Sequence, residues 1–414
     1  MMTAYTAISS GNWNATTGVW SPDGSYPGQN QANDTVDIST YTIALNVSPA
    51  FKLASITVSS GRITVALADA RTLLCGTISG GTDTVYGTLH VTGASGSFQV
   101  GNISNLCTIT GGGTDHVSLK NAGTGGTVTV YGFINGGTAS GGYGLTNGVS
   151  GGSQVVVLYG GALATTSASA ITNGGVMEVY DVSGGTNTIT GAAGNYGIDN
   201  NADLTIGTVT TGMALHGGVG ATAAGVRNQS GAGRTVNMTG GTITGGSADL
   251  SRGLFNASDE ASSVITSVTI TGGSYATAYG LHNTGTIQLI TCTEVDMTAP
   301  AVYNTGTLIS DIADISVVVA TVTVPDIFAI PEAQASATIS PVVASVTIPS
   351  ITPLYFGPAT AEVSVIVASV SVQMATAQFG FFQPQWMWPN FRTRHARRRA
   401  DRMTAIARRN TIRV

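Results

Sequence analysis

The 414-residue chain carries 56 glycines and only 9% charged side chains, against a usual charged share of roughly a quarter. With 42% apolar residues and many Val, Ile and Thr, it is too apolar for a disordered chain and reads as a repetitive β structure. Its net charge of −5 is uneven: nine of the fourteen arginines lie between Arg392 and Arg413, which puts +8 on residues 392–414 and leaves −13 on residues 1–391.

Three scattered cysteines, Cys75, Cys107 and Cys292, read as buried thiols standing in for small apolar residues. The opening Met-Met-Thr-Ala-Tyr-Thr has neither the basic nor the apolar part of a signal peptide. No run reaches the ~18 apolar residues of a membrane span, so a product made and first kept soluble in a cytoplasm is expected.

The chain begins with Ser10-Gly-Asn-Trp13-Asn14, then Trp20, Pro27-Gly28, Asp34 and Val36-Asp-Ile38. This stretch resembles the opening of many bacterial surface and phage β-helix proteins. The resemblance implies the first, capping turn of a right-handed β-helix over residues 1–40, with Trp13 and Trp20 covering the open end of a stacked sheet. A tryptophan-based sugar-binding patch is the other reading of the same pair.

From residue 41 to 311 apolar and small polar residues alternate, broken by Gly-Gly or Asn-Gly, as in Arg62-Ile-Thr-Val, Thr127-Val-Thr-Val and Ser267-Val-Thr-Ile. Alternation of period two marks half-buried strands. Through this region runs a series of asparagines: Asn121, Asn147, Asn173, Asn200, Asn228, Asn256, Asn283 and Asn304. Most close a phrase such as Tyr143-Gly-Leu-Thr-Asn147 or Tyr279-Gly-Leu-His-Asn283, in which a small residue, an aliphatic residue and a variable residue precede Asn. Self-similarity at this period is the sign of a repeat architecture. A unit of about 27 residues, two or three strands long, fits one coil of a three-sided parallel β-solenoid, whose coils stack at roughly 4.8 Å. Equivalent asparagines then form a structural amide ladder, the small residue three before each permits a tight corner, and the aliphatic residue points into the core. The Ala-Tyr-Gly-Leu-His-Asn phrasing is also similar to repeats of autotransporter-like and phage β-helix proteins.

After Asn304 the period changes. Ala313-Asp-Ile-Ser-Val-Val-Val-Ala320, Ala337-Thr-Ile-Ser-Pro-Val-Val-Ala344 and Ala361-Glu-Val-Ser-Val-Ile-Val-Ala368 recur at intervals of 24. Prolines between them mark turns. Residues 312–378 therefore read as three apolar β repeats that need burial between copies, and a homotrimer is the expected state. Residues 379–414 read as an anchoring tail. Its aromatic cluster holds Phe381, Phe382, Trp386, Trp388 and Phe391. A basic helix follows over residues 393–409, and the cations expected to bind a partner are Arg392, Arg394, Arg397, Arg398, Arg399, Arg402, Arg408 and Arg409. Such a tail suits docking on other virion proteins, with nucleic acid as the less favoured partner.

Catalysis and cofactors are not expected. Glycoside cleavage needs two facing carboxylates, one of them kept protonated. The close pairs are Asp199 with Asp203, Asp259 with Glu260, and Glu294 with Asp296; the last would share a strand face, with no Lys or Arg nearby to suggest a lyase site. The five histidines show no metal-ligand spacing, and glycine-rich matches are expected from composition alone. The expectation is a non-enzymatic virion protein of a tailed phage, a fibre, spike or capsid appendage, that displays a rigid shaft toward a host surface, with host-surface glycan as a further candidate partner. A bacterial cell-surface adhesin and a polysaccharide-depolymerising tailspike are the alternatives.

Overall fold

The structure, a computed structural model, describes residues 2–310 except 82–84, 138, 149–153, 166–167, 186 and 261, and beyond them only short strand segments between 312 and 372. The aromatic cluster and the basic helix expected over 379–414 lie outside the described residues. The chain divides into two units, one of Met1–Ile315 with Ala335–Ile339, the other of Ser316–Gln334 with Ser340–Val414. In the second unit the described strands are short, and Val346–Ile348 lies parallel to both Val322–Thr323 and Val370–Val372.

The first unit is an all-β parallel solenoid of about ten turns, with no helix among its described residues. Each full turn lays down three strands, and each strand joins a column. The first column is a 12-stranded sheet running from Gly11–Asn12 to Val302–Asn304, and it contains every strand that ends in a ladder asparagine. The second column runs from Ala70–Leu73 to Thr307–Ser310, and the third from Ala4–Ala7 to Thr293–Val295. Second and third columns merge into one 21-stranded sheet, because Thr127–Asn135 and Val155–Leu163 run through both without a turn. The bend inside them falls at Gly132 and Gly160, whose φ of +142° and +144° are open to glycine and strained for other residues.

Alternation in the sequence becomes alternation of burial. Thr127–Asn135 buries every second side chain, placing Val128, Val130 and Ile134 inside and threonine and tyrosine outside. Because the strands stack in parallel register, equal positions superpose, and the third column carries Ile109, Ile134, Ala162, Ile189, Leu215, Ile243 and Ile270 in contact sequence. The asparagine register steps are 26, 26, 27, 28, 28, 27 and 21 residues. Insertions are absorbed in the corners.

One expectation is corrected. The glycine three residues before asparagine is not a corner residue: Gly144, Gly197, Gly225 and Gly253 lie inside first-column strands and have no positive φ. Close packing is what excludes a side chain there. A Cβ on Gly197 would stand 2.6 Å from Ile189 Cγ2, one on Gly253 2.6 Å from Ile243 Cγ2, and one on Gly280 2.8 Å from Ile270 Cγ2. Where the sequence has alanine instead, as at Ala170, the third-column residue of the same turn is Ala162 and the missing branch leaves the room.

At the N-terminal edge Ala4–Ala7 pairs parallel with Asp34–Ile38 on one side and antiparallel with Trp20–Ser21 on the other. Residues 1–40 thus contribute strands to the coil itself. Trp13 and Trp20 are fully buried, edge-to-face at 5.2 Å, and Trp20 Nε1 donates to Trp13 O at 2.9 Å. Trp13 Nε1 donates to Pro27 O at 3.1 Å, so both indoles bring apolar area to this end without stranding a donor.

Candidate binding face on the asparagine wall

The asparagines face inward. Asn121 to Asn283 are buried, and each donates its side-chain N–H to Oδ1 of the next, at 2.7–2.9 Å over seven successive bonds, the last of which reaches Asn304. The second N–H of the same amide goes to a backbone carbonyl. Asn147 reaches Val176 O, Asn173 reaches Asp203 O, Asn200 reaches Thr235 O, Asn256 reaches Thr286 O and Asn283 reaches Thr307 O. Each of these side chains therefore ties its own coil to the start of the second-column strand one coil further on, satisfying groups that no water reaches. These residues are occupied by the fold.

Most carboxylates are occupied too. Asp34 is buried and accepts from the backbone of Thr3 and Gly28 at 3.0 Å. Asp181 is buried and accepts from Thr210 N and Oγ1, Thr211 N and Gly212 N, at 2.5–2.9 Å, and also from Val209 N. Burial opposes its charge, but these donors outweigh burial and hold the carboxyl well below the usual range. Asp199 forms a two-pronged bond with Arg227, at 2.7 and 2.6 Å, while Asp203 accepts from Thr235 Oγ1 and Glu260 from Gly233 N.

Glu294 is different. It stands in register with the buried Ile270 but is itself exposed at the end of that column. Surrounding protein and the neighbouring Asp296 raise it above the ordinary glutamate range, while Asp296 Oδ1 accepts from Ala301 N at 2.7 Å. No group of three His, Cys, Asp or Glu side chains able to hold a metal ion occurs among the described residues.

Outward chemistry lies on the second column, where Tyr131, Tyr159 and Tyr180 stack, and more variedly on the first. The variable residue just before each asparagine points outward between two inward neighbours, so successive coils display Lys120, Thr146, Thr172, Asp199, Arg227, Phe255, His282 and Tyr303 as one file. A second outward file, four residues before asparagine, includes Tyr196, Arg252 and Tyr279. The two files interlock. Arg227 lies over Tyr196 at 4.2 Å, and Arg252 over Phe255 at 4.8 Å. Phe255 and His282 are 5.1 Å apart, His282 and Tyr303 4.9 Å, and Tyr279 and Tyr303 stack at 4.6 Å. Burial, then the charge of Arg252, lowers His282 to about 4 and keeps it neutral at pH 7.

Sequence reasoning treated that position as merely variable, and His282 only as one of five histidines without metal-ligand spacing. The signal was present, since a position between two inward residues must face out. What it faces there depends on the coils above and below. The aromatic and basic residues expected to bind partners, Phe381 to Arg409, fall outside the described residues. Compared with models of protein families, with curated proteins and with solved structures, the chain matches none.

Proposed function

We propose that this protein is a non-enzymatic structural component of a tailed-phage virion, a fibre, spike or capsid appendage, whose solenoid serves as a rigid spacer and display surface. The observation that carries the reading is the continuous asparagine ladder, seven side-chain bonds in line that bind coil to coil and reserve only the outer files for variation. A rod held from within can change its surface without loss of fold. Occupied carboxylates support the absence of catalysis. In this proposal the 24-residue repeats of residues 312–378 bring three copies together, and the tail of residues 379–414 anchors the assembly to other virion proteins.

Imaging of intact particles carrying a label on this protein tests the location. Labelled appendages on heads or tails are expected, and a label found only on bacterial envelopes overturns the reading. Light scattering of the full chain is expected to give three times the 41.7 kDa chain mass, and a stable monomer overturns the trimer. Removal of residues 392–414 is expected to abolish incorporation while the solenoid still folds. Release of oligosaccharides from host capsule or lipopolysaccharide would show an enzyme instead.

A further inference from the structure

We infer that the outer face of the asparagine wall around Arg252 is a binding site for the carboxylate of an acidic polysaccharide. The inference stands on side-chain geometry and goes beyond the virion reading. Of the seven Lys and Arg residues before residue 311, four, Arg62, Lys120, Arg227 and Arg252, belong to first-column strands or their outward file, although residues 1–310, with fifteen Asp and Glu, carry −8 as a whole. A mostly acidic rod therefore gathers its cations on one side, where they favour an anionic ligand.

Within that side Arg252 is distinctive. Arg227, one coil earlier, is neutralised by two bonds to Asp199. Arg252 has no carboxylate within ion-pair distance among the described residues, and its Nε is buried without an acceptor. A guanidinium held over a ring with no ion-pair partner can present its terminal N–H groups to a planar, two-oxygen acceptor, and a carboxylate fits that fork. Beside it the rings of Phe255, Tyr279, His282 and Tyr303 form one continuous surface, with Tyr303 39% exposed and its hydroxyl at the outer end. An apolar platform with a few converging polar groups suits the C–H face and hydroxyls of a sugar ring.

Nucleic acid fits less well. A single strand presents a phosphate at each nucleotide and asks for a dense run of cations. Here Thr146 and Thr172 interrupt the file, and Tyr279 and Tyr303 stack on each other at 4.6 Å, leaving no slot for a base between them. A chain with spaced carboxylates matches spaced cations.

The test is a calorimetric titration of the full chain with hexagalacturonate, with neutral maltohexaose and with a thymidine hexanucleotide. Binding of hexagalacturonate that weakens with added salt is expected, with at least a tenfold loss in Arg252→Gln, a loss in Tyr303→Ala, and no change in Arg234→Gln. Circular dichroism checks folding, and Tyr303→Ala, at an exposed ring, keeps the test decisive if Arg252→Gln misfolds. The inference is overturned by absence of hexagalacturonate binding, by equal binding of maltohexaose, by tighter binding of the nucleotide, or by full affinity in both variants. A negative result leaves the particle location untouched.

Discussion

At the scale of single residues, the fold rests on positions where one atom more or less decides the outcome. Asn200 accepts from Asn173, donates to Asn228 and donates to Thr235 O, so Asn200→Ala strands buried groups on two neighbouring coils. A cost of about 2–5 kcal/mol is expected from that loss. At Asn304, whose side chain is exposed, water replaces the lost partners and the cost falls below about 1 kcal/mol. Denaturant unfolding of both variants checks the contrast, and equal effects would refute a ladder that acts through burial. Gly197→Ala is expected to destabilise by about 1–3 kcal/mol through overpacking against Ile189 and the Gly225 carbonyl. Combining it with Ile189→Ala should cost less than the sum of the single changes, because Ala170 and Ala162 already coexist in that relation one turn earlier. A strictly additive cycle would refute the steric explanation.

At the scale of elements, the ladder has a defined beginning. Asn121 lies in register with Val91, and Val91 with Val65, so an aliphatic file gives way to an amide file at that rung. Asn121 Oδ1 is consequently buried without a donor. Val91→Asn supplies one, whereas Val65→Asn would face only Val91. Both residues are fully buried, so their transfer costs match and the first substitution should be milder by about 1–2 kcal/mol. Thermal unfolding of the pair measures the difference, and Val65→Asn proving the milder would contradict extension of the ladder. How much of this was legible in sequence follows from the same residues. Asparagine at a steady period announced the amide file, and alternation announced its direction. Val91 gave no such sign, because an aliphatic residue in a strand looks the same whether the coil above offers valine or asparagine.

At the scale of the whole molecule, acid should weaken the solenoid in two stages. The folded-state pKa of His282 is lowered from 6.5 to about 4, with burial the first cause, and burial lowers His216 as well. The unfolded chain therefore binds these protons first. The stability they represent is complete above pH 6.5 and is lost as pH falls toward 4, on the order of 1–2 kcal/mol for His282 once its half-exposed ring is allowed for. Asp181, whose pKa is lowered in the fold, contributes stability present above its ordinary 3.8 and lost only as pH falls below that value. Melting temperatures across pH 7.5 to about 3 check this, with His282→Gln expected to flatten the first stage alone. A first stage unchanged in that variant would show that His282 does not cause it.

The sequence by itself determined the class of architecture. Period-two alternation, scarce charge and an asparagine every 26 to 28 residues over most of the series are local or periodic properties, and a parallel solenoid is the form in which they agree. Only the tertiary structure decided what each turn places beside the next. Corners of unequal length absorb register steps that range from 21 to 28 residues, and so bring Arg227 over Tyr196, and His282 and Tyr279 against Tyr303. Such neighbours are set by stacking register, a property of the assembled coils rather than of any one of them.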